Sequence, residues 1–387
     1  MRILHVVPAF LPATAWGGPV FSTSALCRAA ALAGHDVTVL TTDSADPESG
    51  ARLALAQNAA RFPEGYTAHY APVSFSKTGS WPLLRVLPGH VRRADLVHLS
   101  MTYSFPTLPT LFLCRLFGKP VVWSPRGAIQ ATADWQDAPR KKVKTAFERL
   151  ARMLAPRRTV LHVTAEEEAE ATAKRMPGFE VVNLGNPVPV PASLPPRAFR
   201  PDGSLRLFYI SRLHVKKGID SLIEALADLP EHVILRVAGS GSPAFERALR
   251  DRVAALGLEG RVTFLGQLDG AEKEAEFARA DAVVLPTQSE NFGIAIAEGL
   301  AHGLPVVTTT GAPWSGIADR DCGAWIAPTK TALHKALATL EQRPADDLRA
   351  MGEIGHAWMQ ESFSETTLGA RMLAVYHRLT TGPGGSV

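Results

Sequence analysis

The stretch "DAVVLPTQSENFGIAIAEGLAHGLPVVTT", residues 281–309, carries a complete strand–helix–strand unit. Ala282–Leu285 and Val306–Thr309 are short apolar or β-branched runs with no polar alternation, the pattern of strands covered on both faces. Pro286 ends the first run, "TQSEN" is a polar loop, and a helix is predicted from about Gly293 to His302, stopped by Gly303 and Pro305. Strand, helix and strand in that order repeat in parallel sheets whose faces are layered with helices.

The same alternation runs outward in both directions. Downstream of residue 200 it continues through Leu205–Ile210, Val233–Ala238 and Val262–Leu265, and upstream through Ile3–Val7, Val37–Thr41, Leu96–Leu99, Val121–Ser124, Thr159–Thr164 and Val181–Leu184. Helices are predicted in the intervals, among them Val20–Ala33, closed by Gly34, and Pro106–Phe117, closed by Gly118-Lys119-Pro120. Only "PVPVPASLPPRAFRP", residues 187–201, breaks the rhythm: six prolines in fifteen residues read as a stiff connector. With 387 residues the chain exceeds one ordinary core. Two doubly wound α/β domains joined near residue 190 follow.

Hydrophobic residues make up 46% and charged residues 20%, a globular composition, and only the tail "TTGPGGSV" reads as flexible. Cys27, Cys114 and Cys322 lie far apart in no metal-ligand spacing, so neither a disulfide framework nor a zinc site is expected and a reducing compartment fits. The opening "MRILHVV" lacks the apolar core and cleavage site of a secretion signal, and no apolar run is long enough to span a membrane, which predicts a cytoplasmic protein. Between Arg140 and Arg158 eight basic residues face one acid, Glu148. Val143, Phe147, Leu150 and Leu154 recur there at helical spacing, predicting an amphipathic helix with a basic outer face. That face is either merely solvated or meets anionic lipid head groups or a phosphorylated acceptor. Nucleic acid is not expected, since no interleaved aromatics or binding motif accompany the charge.

In such sheets ligands gather at the loops beyond the carboxyl ends of the strands, so the chemistry is sought there. After the first strand, Gly17 and Gly18 leave room for a phosphate or sugar, with Pro19 suited to the first turn of a helix. After Leu205–Ile210, "SRLHVKKGID" sets Arg212 and Lys217 just before a helix that begins near Gly218; a guanidinium and an ammonium at a helix N-terminus describe a diphosphate site. In the 281–309 stretch, Glu290 precedes the helix and Glu298 lies on its second turn. Carboxylates accept from paired hydroxyls, so a ribose suits one and a sugar ring the other, while the helix end between them, opened by Gly293, faces an anion. A nucleotide-sugar has all three parts. Taken singly, each of these residues also fits an ordinary turn or a helix-end charge. "GSGSP" after Val233–Ala238 decides nothing, and Asp319-Arg320-Asp321, in a probable loop, is discounted as a metal site.

The pairing of Glu290 with Glu298 and of Arg212 with Lys217-Gly218 resembles the E-x7-E and R-x4-K-G motifs of retaining glycosyltransferases of family 4, which have the GT-B fold. The likeness extends over "ALAGHDVTVLT", "DLVHLS", "LHVTAEEEAE" and the ending "FSETTLGARMLAVYHRL". It implies two Rossmann-like domains facing a central cleft. Residues 1–190 would bind the acceptor, residues 191–363 the nucleotide-sugar, and residues 364–387 would form a helix returning to the first domain and a flexible tail. By the same likeness Arg212 and Lys217 bind the diphosphate and stabilise its leaving charge. Glu298 holds the ribose, and Glu290, with Asn291, Phe292, Gly293 and Ile294, the sugar and its phosphate, while Gly17 and Gly18 approach from the other domain. No metal or other cofactor is implied. One departure stands out: many relatives read Ser-Pro-His-Gly after the fourth upstream strand, where this chain reads "WSPRGAI". Arg126 cannot act as a base, but it can donate to a sugar hydroxyl or phosphate, so it is expected beside the reaction with the catalytic residues, as a donor-site or acceptor-site anchor. His98 is an alternative polar contact, though a strand-end histidine more often serves structure. "TTTGAPWSGI" resembles members that build bacterial surface polysaccharide or lipopolysaccharide, implying a hexose donor, a glycan or lipid-linked acceptor, and a place at the inner face of the membrane. A nucleotide-sugar epimerase and a non-catalytic nucleotide-sugar-binding subunit are the alternatives. A dinucleotide-dependent oxidoreductase is remote, as the first turn lacks Gly-x-Gly-x-x-Gly.

Overall fold

The computed structural model describes residues 1–47, 49–129, 140–194 and 196–381. Strands β1 (Arg2–Val6), β2 (Asp36–Thr42), β3 (Ala59–Arg61), β4 (Thr67–Ala71), β5 (Leu96–Ser100), β6 (Val121–Ser124), β7 (Thr159–Val163) and β8 (Glu180–Asn183) form a sheet ordered β3-β4-β2-β1-β5-β6-β7-β8. Its strands run parallel except where β3 meets β4. Strands β9 (Leu205–Ile210), β10 (Val233–Ala238), β11 (Val262–Gly266), β12 (Ala282–Leu285), β13 (Val306–Thr309) and β14 (Gly323–Ile326) form a second, wholly parallel sheet ordered β11-β10-β9-β12-β13-β14. Every residue of β5, β6, β7, β12 and β13 is buried, which explains why those stretches read as unbroken apolar or β-branched runs.

The two doubly wound α/β sheets are those read from the sequence. Strands β3, β4 and β14 are additions: "AAR", "TAHYA" and "GAWI" carry little β-branched character, and pairing recruits them, β4 to β2, β3 to β4 and β14 to β13. The chain divides into one compact unit of Met1–Pro187 with the segment from Glu365, and another of Val188–Ser364. The division falls at the first of the six prolines. In the second unit, Val188 donates its N–H to the Phe363 carbonyl (3.0 Å), so the two chain crossings lie side by side. The helix Glu365–Thr381 belongs to the first unit, where Glu365 pairs with Arg28 of the helix Gly18–Leu32 and Arg378 with Glu180 (2.8 Å). The tail expected to be flexible lies, beyond Thr381, outside the described residues. Cys27, Cys114 and Cys322 are free and buried.

The basic segment forms a helix, Lys141–Leu154, but its buried face differs from the expected one. Glu148 and Ala151 point inward and Phe147 and Leu154 pack beside them, whereas Val143 is 64% exposed and Leu150 41%. The cause is a buried ion pair. The Glu148 carboxylate accepts from Arg175 and from the Tyr103 hydroxyl, and satisfying that charge rotates the helix away from its apolar register.

Candidate functional site

In the second sheet the strand order reverses between β9 and β12, the place where loops beyond the carboxyl ends diverge and leave room for a ligand. The β9 loop carries Arg212, exposed, then a short turn, Val215–Lys217, in which His214 accepts from the Lys216 N–H (3.2 Å). Gly218 follows at φ 69°, and a Cβ there would run into the Pro286 carbonyl at the end of β12. Only glycine allows that approach, and it brings the two loops together. The Lys216 carbonyl accepts from the Gln288 N–H (2.8 Å) and the Thr287 hydroxyl (3.1 Å), and the Lys217 ammonium bonds the Glu290 carboxylate. These last two side chains are 17% and 15% exposed, so the pair is mostly shielded but still reached by solvent. The helix begun near Gly218 is Ile219–Ala227.

The Glu290 N–H donates to the Gly311 carbonyl (2.8 Å), tying the loop to that after β13. Phe292 is buried among Trp314, at 5.1 Å between ring centroids, and Phe363, at 5.8 Å, while the Trp314 indole N–H donates to the Phe292 carbonyl. Asn291 and Phe292 thus lie on an anchored loop that ends at Gly293, φ 83°, the N-cap of the helix Ile294–Ala301. No side chain among the described residues caps that helix, so the partial positive charge of its first N–H groups is not met by a side-chain cap. Glu298 sits on its second turn and bonds Lys273 of the helix Gly270–Arg279 (2.7 Å). The structure therefore brings Lys217 to Glu290 and gives Glu298 a cation of its own.

In the first unit Gly17 (φ 71°) separates the turn Thr14–Trp16 from the helix Gly18–Leu32, whose start likewise has no side-chain cap. Arg126 follows β6 in a left-handed conformation (φ 58°). Its guanidinium donates to Asn186 and to the Thr23 hydroxyl (3.4 Å), while its Nε has no partner among the described residues. Burial brings its pKa down to about 10 against the pull of Glu168, so it stays a cation at neutral pH. Beside it a polar chain crosses three strands. His98 bonds the Tyr376 hydroxyl (2.5 Å) and the Ser124 hydroxyl (2.7 Å), Ser124 bonds His162 (2.7 Å), and His162 bonds the Leu184 carbonyl (2.9 Å). His5 stacks on His98 at 4.8 Å between centroids. Burial, with Arg126 adding, holds His5 and His162 down to about 3, and burial with its neighbours holds His98 well below its ordinary value. Both ring nitrogens of His98 are thereby partnered inside the first unit.

Two glycosyltransferase family models meet end to end on this chain. "Glycosyl transferase 4-like domain" matches residues 17–187 and "Glycosyl transferases group 1" residues 194–358. The chain is a GT-B glycosyltransferase. It is 29% identical to the glycogen synthase of Mycobacterium tuberculosis over 94% of this chain and 91% of that one. It is 38% identical to the lipopolysaccharide glucosyltransferase WaaG of Escherichia coli over a shorter stretch, 29% of this chain and 30% of that one. Its fold superposes on the Anabaena protein HepE in complex with UDP-glucose with a TM-score of 0.73, at 17% identity, covering 97% of this chain and 99% of that one.

Within this glycosyltransferase, Lys273 and Trp314 are the site neighbours that sequence reasoning missed. Lys273 stands among Glu272, Glu274 and Glu276 on a helix that looks solvated in sequence, and Trp314 lies beyond the next strand. Among the described residues no cluster of three His, Cys, Asp or Glu side chains has metal-holding geometry, and Asp319 and Asp321 flank a short helix end.

Proposed function

We propose that this glycosyltransferase moves a hexose from a nucleotide-diphosphate sugar to a glycan or lipid-linked acceptor with retention of anomeric configuration, without a metal. The observation that carries the reading is the Lys217–Glu290 pair at the reversal of the second sheet, beside the uncapped helix start at Gly293. As the bond from the anomeric carbon to the phosphate oxygen breaks, negative charge grows on the diphosphate. Arg212, Lys217 and the helix N-terminus stabilise it. Glu290 orients the sugar hydroxyls, Glu298 the ribose, and the backbone from Asn291 to Ile294 the phosphate. The acceptor oxygen bonds the same face of the anomeric carbon, and its proton passes to the departing phosphate oxygen. Arg126 serves as an anchor for the acceptor in the first unit. Likeness to a protein solved with UDP-glucose and to a lipopolysaccharide glucosyltransferase supports this donor and acceptor class.

A site of action at the inner face of the membrane fits a second observation. The helices Thr107–Leu116 and Lys141–Leu154 are tied by Arg115, which donates to the Met153 carbonyl (3.1 Å). Their outer surfaces expose Phe112, Leu116, Val143, Leu150 and Met153 among Arg115, Lys141, Lys142, Arg149 and Arg152, and the one acid, Glu148, is buried. Apolar residues ringed by cations fit an anionic bilayer surface.

The test incubates the purified chain with uridine, guanosine, adenosine and thymidine diphosphate sugars, with and without a bacterial glycolipid extract. Acceptor-dependent nucleotide release, lost in Glu290→Ala, is expected, with the product anomer matching the donor by NMR. Conversion of the sugar with donor alone would instead identify an epimerase, and inversion of the anomer would overturn the retaining step.

A further inference from the structure

The loop after β13 is locked to the loop that carries Glu290. The Thr310 N–H donates to the Ile326 carbonyl at the end of β14 (2.7 Å), the Ala312 N–H to the Thr309 carbonyl (3.0 Å), and the Trp325 indole N–H to the Ala312 carbonyl (2.8 Å). A Cβ at Gly311 would run into the backbone of Thr287 and Gln288 at 2.6 Å, so only glycine lets the two loops lie this close. There the Gly311 carbonyl takes the Glu290 N–H (2.8 Å), and the Thr309 hydroxyl donates to the Thr287 carbonyl.

Trp314 closes this arrangement from inside. It is buried, its ring packs on Phe292, on Phe363 (5.2 Å between centroids) and on Trp358 (5.4 Å), and its indole N–H donates to the Phe292 carbonyl. A peptide unit is planar and trans, so its C=O and N–H point in opposite directions. Pinning the Phe292 carbonyl on Trp314 therefore turns the N–H of the same peptide, that of Gly293, away from the indole. That N–H has no partner among the described residues, and it leads the N–H groups at the start of the helix Ile294–Ala301. Any large apolar side chain could fill the space that the indole ring occupies; the donor is what tryptophan adds.

We propose that Trp314 is a positioning residue: through the Phe292 peptide it aims the Gly293 N–H at the donor's phosphate. The inference rests on the donor-site reading above and adds to it a residue that lies outside both motifs. Without the indole donor the buried Phe292 carbonyl is left unpaired, which is costly and favours rotation of the peptide toward another partner. Gly293, already at φ 83°, resists such a rotation less than any other residue type. A rotated peptide points its N–H elsewhere, and the phosphate loses a contact that depends on aim.

NMR on the full chain tests it. Isotope labels in the phenylalanine carbonyl carbon and the glycine nitrogen select amides of glycines that follow phenylalanine, and the sequence has two, Gly118 and Gly293. Gly118 belongs to the first unit and serves as the reference. Titration with uridine, guanosine, adenosine and thymidine diphosphates should shift the Gly293 amide with at least one of them and leave Gly118 in place. Trp314→Phe should move the free Gly293 resonance, shrink its response and weaken binding of that diphosphate about tenfold, the loss of one charge-assisted hydrogen bond. Trp325→Phe, which frees the Ala312 carbonyl and keeps Trp314, should weaken it about threefold. Trp358→Phe, in the same aromatic cluster, should leave the affinity as it was. The proposal is overturned if Trp314→Phe binds like the native chain or, should that variant not fold, if Trp325→Phe does. It is overturned too if Trp358→Phe weakens binding as much as Trp314→Phe, which would make packing the cause. Failure of the donor-site reading looks different: no diphosphate binds the native chain, and this inference falls with it.

Discussion

Acidification should loosen the first unit, and the histidine chain sets how far. An unfolded histidine titrates near 6.5, whereas burial holds His5 and His162 down to about 3 in the fold. Between those values the unfolded chain binds more protons than the native one, so stability rises with pH and is lost as pH falls below about 6.5. At pH 5 each of the two costs ~2 kcal/mol, together ~4 kcal/mol, and His98, lowered by the same burial, adds in the same direction. For a unit of this size that lowers the melting temperature by roughly 10 °C between pH 7.5 and pH 5. Thermal melts across that range, with hydrogen exchange on the β5, β6 and β7 peptides to localise the effect, provide the assay. His5→Leu should make the pH slope shallower by about one proton. A melting temperature that is flat from pH 7.5 to 5, or a slope indifferent to His5→Leu, would refute the claim that these rings are kept neutral by burial beside Arg126.

Three further outcomes follow from the second unit and from the basic helix. Lys273→Met removes the partner of Glu298 and should weaken nucleoside diphosphate binding by about tenfold in calorimetry, as loss of a charge-assisted contact does, with Lys273→Arg recovering most of it. Gly218→Ala forces a side chain into a positive-φ position against the Pro286 carbonyl; a loss of at least ~2 kcal/mol in denaturant unfolding and of nucleotide release is expected, while Gly203→Ala, also at positive φ but in open space, should cost about half as much and leave release intact. Changing Lys141, Lys142, Arg149 and Arg152 together to Glu should abolish co-sedimentation with phosphatidylglycerol vesicles, each cation contributing ~1 kcal/mol, and high salt should do the same to the native chain. Native protein that ignores anionic vesicles at low salt would remove the membrane reading.

What could be read from the sequence divides along a physical line. Central strands such as β5, β6, β12 and β13 are legible because each is buried at every position, so burial writes itself into consecutive residues. The helix Ile294–Ala301 is legible because its limits, Gly293 and Gly303, are local chemistry. Strands near a sheet edge are not: "TAHYA" becomes β4 by pairing with β2, whose nearest partner residue is 29 positions upstream. The inward face of Lys141–Leu154 was hidden for a similar reason, because Glu148 is buried by Arg175, 27 residues away, and nothing near it in the chain announces that partner.

The candidate site shows the same division within a few ångströms. Lys217 and Glu290 are 73 residues apart, yet a parallel sheet that reverses between β9 and β12 must bring the ends of those two strands side by side, so a cation after one and a carboxylate after the other share a neighbourhood through topology. Lys273 has no such rule. It reaches Glu298 from the middle of a helix, and which helical residue faces a neighbouring helix depends on how both rotate on the sheet, a matter of a few side-chain volumes. Loops at strand ends can therefore be nominated from strand order, but the helix residues that hold a site's carboxylates in place have to be seen. Substitution of Lys273 is for that reason the sharper probe of the proposed donor site: its contact with Glu298 comes from the packing of two helices, and no motif in the sequence demands it.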